Sequence, residues 1–161
     1  MKFDISLFFY AKIEVMKDIA VNKKAYHDFE IIETVEAGMV LTGSEIKSIR
    51  AGKVSLKESF VSFTGGEAFV KGMNIAQYKD ATYNNHDETR DRKLLMHKRE
   101  ITKYFSKCKL NGLTMVPLKM YFNNGKVKME VALARGKTLY DKRQTDKERS
   151  MERAAKQAMK R

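Results

Sequence analysis

Asn124-Gly125 stands between two runs in which apolar residues alternate, Met115 to Phe122 and Val127 to Leu133. Both turn residues tolerate the positive φ of a type I′ turn, so the pair predicts a two-residue hairpin and fixes the register of its strands. Leu118, Met120 and Phe122 take one face of the first strand, and Val127, Met129, Val131 and Leu133 one face of the second. Gly65-Gly66 joins Phe60–Phe63 to Ala68–Val70 in the same way. Phe29 to Leu41, interrupted by Gly38 and closed by Gly43, reads as two more short strands. Pro117 cannot donate to a ladder, so its place inside a strand marks an edge, a bulge or a barrel corner. The fold class is therefore mainly β and antiparallel.

A helical period interrupts this pattern once. Leu94, Ile101, Phe105 and Cys108 recur at spacings of seven, four and three, widened by Leu95, Met96 and Tyr104, with Lys98, Arg99, Lys103 and Lys107 opposite. This predicts an amphipathic helix with a basic outer face. After Leu139 the apolar residues thin to Met151, Ala154, Ala155, Ala158 and Met159, which cannot form a core. Short isolated helices are marginal in water, so residues 135–161 are expected to be disordered until bound and helical on a partner. The reading divides the chain into an extension at 1–20, a body at 21–134 and this tail. Residues 1–15 fit nothing downstream, and Met16-Lys17-Asp18 looks like the true start.

Of 161 residues, 32 are Lys or Arg and 20 Asp or Glu, a net charge of +12. Residues 90–110 hold eight basic and two acidic groups, and residues 135–161 hold ten and four, so each block carries +6 and the rest balances. Two local blocks point to a polyanion, because each neutralised phosphate releases condensed counterions. Neither block has the bulky apolar face of an interfacial membrane helix, and no run is long enough to span a bilayer. With no secretory signal and only Cys108 as a thiol, the chain reads as a cytoplasmic protein without disulfides.

Catalytic chemistry is hard to place. His27, His86 and His97 lie far apart with no second ligand at metal spacing. His86-Asp87-Glu88 reads as a solvated turn, Ser44 lacks the flanking glycine of a nucleophile elbow, and Gly136-Lys137-Thr138 lacks the rest of a P-loop. Cys108 sits on the apolar stripe as a structural thiol. No cofactor, metal or enzymatic activity is expected. An RNA-processing enzyme would need a metal or acid–base pair that the sequence does not offer.

Specific segments then carry a resemblance. Asn22 through Phe29, Glu36-Ala37-Gly38, Gly43-Ser44-Glu45-Ile46-Lys47-Ser48-Ile49-Arg50-Ala51-Gly52-Lys53, Arg92-Lys93-Leu94-Leu95-Met96-His97-Lys98-Arg99-Glu100, Pro117-Leu118-Lys119 and Ala134 through Arg143 follow one another in an order that resembles the SsrA-binding protein family, SmpB. The resemblance covers residues 21–161. It implies an oligonucleotide-binding-type β-barrel with flanking helices and a basic C-terminal tail. It also implies binding of transfer-messenger RNA and its delivery, as alanyl-tmRNA with elongation factor Tu, to stalled 70S ribosomes for trans-translation. The tail would occupy the decoding site and the empty message channel. A monomer is expected, since twelve excess charges oppose self-association.

By the same resemblance Asn22, Glu36 and Leu95 are tied to RNA binding, and Lys93, Lys98, Arg99 and Lys119 are candidates for phosphate contacts. Gly136, Lys137, Tyr140, Asp141, Lys142 and Arg143 match the decoding-site segment, with Tyr140 offering a ring for stacking. Lys147, Arg149, Arg153 and Lys156 would track ribosomal RNA. The sequence departs from the family pattern at Tyr26, Glu88 and Thr138, the last standing where a second lysine often follows Gly-Lys. Without the resemblance, the same barrel and charge suit a general structured-RNA or ribosome-associated protein.

Overall fold

The two glycine turns are where the sheet begins. In a computed structural model that describes residues 17–81 and 83–160, Asn124 and Gly125 have φ of 51° and 73°, and Gly65 and Gly66 of 60° and 74°, the backbone of type I′ turns. They join β8 (Thr114–Asn123) to β9 (Lys126–Gly136) and β4 (Phe60–Thr64) to β5 (Glu67–Lys71). The other main strands are β1 (Asp18–Val21), β2 (Phe29–Met39) and β7 (Arg92–Leu95), with a small pair, β3 (Val54–Ser55) and β6 (Asn74–Ile75). Among the described residues β8, β4, β5, β7, β2 and β9 pair antiparallel in that order, and β9 pairs back to β8. The sheet thus closes on itself as a barrel, and β1 adds to the β8 edge.

Inward positions alternate as the sequence predicts except at Leu118, which is expected on the face of Met120 and Phe122 and is turned to the opposite face by the register shift between Pro117 and Lys119. Val70, Leu94, Met120, Met129, Val131 and Leu133 are each at most 1% exposed. Methionines at 73, 115, 120 and 129 fill the interior, where an unbranched side chain adapts to the uneven space inside a small barrel. Pro117 sits at a register shift in the β8–β9 ladder, the bulge its missing N–H demands. A second cluster lies outside the barrel wall, where α1 (Lys23–Asp28) lays Ala25 over Val116, Leu118, Ala132 and Ala134.

Four further expectations change. Phe29 to Leu41 is not two strands but one of 11 residues, bent at an irregularity between Ile31 and Glu33. Leu94 and Leu95 are not helical. They belong to β7, and α3 (Lys98–Asn111) starts only where the Glu100 carboxylate accepts from the His97 amide, 3.0 Å. Alternation and helical spacing coincide at Leu94, which misled the period. Within α3 it is Ile101 and Tyr104 that are buried, while Phe105 is 45% exposed and meets Phe63 edge-on at 6.0 Å. The paired body also begins at Asp18, inside the stretch read as an extension. The proposed start at Met16 lies outside the described residues.

The C-terminal segment expected to stay disordered until bound is here a 20-residue helix, α4 (Leu139–Ala158). It buries none of its residues, as its lack of an apolar stripe dictates. Its start is local: the Thr138 amide and hydroxyl donate to the Asp141 carboxylate at 3.3 and 2.6 Å, and the Asp141 amide donates to the Thr138 hydroxyl at 3.3 Å.

Candidate nucleic-acid interface

The barrel's outward positions over β7, β2, β9 and β8 bring together most of the residues singled out in the body. Leu95 lies opposite Gly38 in the β2–β7 ladder and is 55% exposed. A Cβ on Gly38 would stand 3.4 Å from Leu95 Cβ and Cδ1, so the glycine leaves room for the leucine to lie across the strand. Two shallow clefts flank Leu95. One is walled by Glu36, His97, Glu100 and Lys128, the other by Arg50, Ile46, Lys126 and Lys128.

Glu36 is oriented rather than loose. The Tyr121 hydroxyl donates to its carboxylate, and burial first, then that carboxylate, push the phenol's pKa well above its ordinary value. Lys119 lies over the Tyr121 ring, 5.7 Å from its centroid, and pairs with Glu130 at 3.6 Å and Asp18 at 3.9 Å. Glu36, Glu130 and Lys119 are successive partners across β2, β9 and β8 and form one polar row.

The first basic block does not survive as a free surface. Arg92 is fully buried: its Nε donates to Glu45 at 2.8 Å and its Nη1 to the Met73 carbonyl at 2.8 Å. Arg90 reaches the same carboxylate at 2.9 Å. Burial alone would raise the Glu45 carboxyl, but Arg90, the Thr42 amide that caps α2 (Gly43–Arg50), and Arg92 hold it at about 2. Lys93 pairs with Glu67 at 2.6 Å, and Lys103 and Lys107 both hold Glu33, lowering its carboxyl to about 2. The compensating acids come from distant parts of the chain, out of reach of a sum over neighbours in sequence. Lys98, Arg99 and Lys109 remain, exposed and without an ion pair among the described residues.

Asn22 is an interior residue. Its side-chain amide donates to the Leu56 and Pro117 carbonyls, each at 3.0 Å, and its oxygen accepts from the Ala25 amide at 3.1 Å, capping α1. His86 is likewise buried, Nε2 on the Ile75 carbonyl and Nδ1 on the Ser44 hydroxyl, both at 2.9 Å, which corrects its reading as a solvated turn. Burial pushes the Cys108 thiol up, as suits a structural residue. Arg50, Lys126 and Lys128 were missed by sequence reasoning. Arg50 on α2 and the Lys126/Lys128 pair on β9 lie far apart in sequence, and only the fold brings them beside Leu95. No described helix is long and apolar enough to cross a membrane.

The tail residues lie apart from this face. Tyr140 is 76% exposed at the start of α4, and Arg143, Lys147, Arg153 and Lys156 are exposed along it, with Lys156 paired to Glu152. Gly136 ends β9, and Arg149 is half-buried. Lys137 donates to Thr145 Oγ1 at 3.1 Å, and Asp141 is committed to the helix cap.

The SmpB protein family matches over residues 19–161. The chain belongs to the SmpB family. The SsrA-binding protein of Persephonella marina is 56% identical over 138 residues, 86% of this chain and 91% of that one. The SsrA-binding protein of a Nitratiruptor species is 57% identical over 149 residues, 90% of this chain and 98% of that one. A chain from a solved structure described as "tmRNA-SmpB: a journey to the center of the bacterial ribosome" superposes with a TM-score of 0.62 at 48% identity, over 74% of this chain and 84% of that chain. SmpB proteins are RNA-binding proteins and not enzymes, so the Leu95 face is to be judged as a binding surface.

Proposed function

We propose that this SmpB-family protein binds transfer-messenger RNA through the outer face around Leu95 and delivers it to stalled ribosomes for rescue by trans-translation. The observation that carries the assignment to this face is the exposed Leu95, framed by Glu36, His97, Arg50, Lys126 and Lys128. An exposed leucine between clefts with polar and cationic walls suits an unstacked base or a ribose edge, with the cations placed for phosphates. The Glu36 carboxylate, held by Tyr121, can accept from a base amino group. Lys98 and Arg99, on the first turn of α3 beside the His97 wall, supply further phosphate contacts, and Lys93 and Lys119 can exchange their partly exposed carboxylate partners for phosphates. Asn22 acts by setting α1, not by touching RNA.

The tail then works at the ribosome. Tyr140, Lys142 and Arg143 approach the decoding site, with Gly136 and Lys137 leading into them and Asp141 capping the helix, while Lys147, Arg149, Arg153 and Lys156 follow the message channel. Alanyl-tmRNA with elongation factor Tu is the form delivered, the protein is a monomer, and the work is cytoplasmic. The test is a competition titration at about 0.2 M salt, where unspecific phosphate attraction is reduced, of transfer-messenger RNA against bulk tRNA. At least tenfold preference, about 1.4 kcal/mol, is expected. Equal affinities that fade together with salt would leave only a general structured-RNA protein.

A further inference from the structure

Tyr121 is 5% exposed, yet it lies on the outer side of β8, between the inward Met120 and Phe122. Its cover is polar. The Lys119 ammonium stands 5.7 Å from the ring centroid, and the hydroxyl ends on Glu36 Oε2. Tyr121 pairs with Lys128 on β9, and Glu36 stands on β2 beyond, so the phenol crosses a whole strand to reach its acceptor. The carboxylate it meets there has a neighbour of its own sign. Glu36 is directly opposite Glu130 in the β2–β9 ladder, an arrangement that is unfavourable unless each charge has a partner. Lys119 takes Glu130 at 3.6 Å, and the Tyr121 hydroxyl takes Glu36. Glu36 is exposed, and its Oε1 has no hydrogen-bond donor among the described residues.

From this geometry we infer that Tyr121 is a positioning residue for RNA recognition: its hydroxyl fixes one oxygen of Glu36 and so aims the other, as a charged acceptor, at an N–H donor of an unpaired base. The inference rests on the reading of the Leu95 face as the RNA-binding surface. It adds to that reading the residue that acts through Glu36 and the class of group that Glu36 reads. A carboxylate can only accept, and it repels phosphate. Of the donors that RNA offers, the 2′-hydroxyl lies beside the phosphates, whereas an unpaired base carries its amino and imino groups away from them. Such a contact gains from being preformed, because a free glutamate side chain gives up rotamer freedom when it is ordered by a ligand. Without the hydroxyl, Glu36 faces Glu130 uncompensated and turns to solvent, where its charge opposes the incoming RNA. The hydroxyl remains a donor, since burial and then the facing carboxylate keep the phenol protonated.

The experiment is a double-mutant cycle of Tyr121→Phe and Glu36→Ala on the full chain. It reads affinity for transfer-messenger RNA between about 0.1 and 0.3 M salt, together with the melting transition. Tyr121→Phe keeps the ring under Lys119 and removes only the hydroxyl. It is expected to weaken binding roughly threefold to tenfold, with the melting transition unchanged. The slope of affinity against salt is expected to stay the same, because no phosphate contact is lost. In the Glu36→Ala background the same change is expected to cost less than about twofold. If Glu36→Ala weakens binding but Tyr121→Phe binds as the unaltered chain does, or if the two losses multiply in the double variant, the inference is overturned. The cycle decides even where Tyr121→Phe lowers the melting transition, since a loss through misfolding would persist in both backgrounds. An affinity that Glu36→Ala leaves unchanged would instead sink the reading of this face, and the inference with it.

Discussion

The Leu95 face and the α4 helix are both basic surfaces, yet they are built in opposite ways. Leu95, Glu36, Lys119 and Lys128 stand on strands of a closed ladder, where register fixes each Cα and a buried methionine-rich interior backs every outward residue. The α4 helix has no buried residue and touches the body through one histidine and two lysines. The difference teaches what each surface can do. A rigid face recognises a shape that is already formed, because little ordering entropy is lost on contact. A polar helix with no core contact can change position, because ion pairs to exposed groups contribute about 0.2–1 kcal/mol each and are screened by salt.

The largest expected effect breaks the rigid half. Arg92→Ala leaves Glu45 buried with its closest guanidinium gone, a loss of about 3–5 kcal/mol that urea unfolding would register, whereas Lys103→Ala, on an exposed pair, should cost less than about 1 kcal/mol. A comparable loss in both would mean that the buried cluster does not set the frame. Truncation after Arg135 tests the division of labour. It should leave transfer-messenger RNA affinity within about threefold and abolish peptide tagging on stalled ribosomes, while an affinity loss in proportion to the missing charge would make the tail an electrostatic anchor. Next come Leu95→Asn and Glu36→Ala. Each should weaken RNA binding by roughly tenfold, about 1.4 kcal/mol, with an unchanged melting transition, since Leu95 is over half exposed and Glu36 is bonded only at its tip.

How much of this was legible in the sequence follows from what each signal encodes. Asn124-Gly125 and Gly65-Gly66 specify turns through two residues of backbone, so both hairpins and the Pro117 bulge could be read directly. Leu94 could not be placed, because a leucine four residues before a helix obeys either period until the β7 pairing is known. Charge was read too locally: Arg90 and Arg92 direct their charge at Glu45, some 45 residues away in sequence, and Arg50, Lys126 and Lys128, without an ion pair among the described residues, come from two places, α2 and β9, that look unremarkable along the chain. Family resemblance located Asn22 but not its burial or its place as the cap of α1, since the resemblance carries no packing. The contact between α1 and α4 was illegible for the same reason. Its partners, His27 and Asp28, are ordinary residues of a short helix until Asp146 arrives from 119 positions on.

The smallest expected effect concerns that contact and its pH dependence. Hydrogen bonds to Asp28 first, and to Asp146 second, raise the His27 pKa above 6.5, while His27 and then Lys142 lower that of Asp28. The groups facing the ring are thus two carboxylates, with the Lys142 ammonium sharing Asp28 and Lys137 close by on the link. A histidine whose pKa is higher in the folded chain stabilises the fold fully below its unfolded value, and the contribution disappears as pH rises through the folded value. Asp28, whose pKa is lowered, stays ionised across this range, so the histidine sets the direction. The stability lost in His27→Ala, read by urea unfolding, should therefore be greater at about pH 6 than at about pH 8.5, and Asp146→Asn should leave most of that difference, since Asp28 is the larger cause. The ring is a quarter exposed, so the change should be modest. A loss that grows with pH would mean that His27 acts as a neutral ring, and its pairing with Asp28 as a cation would be wrong.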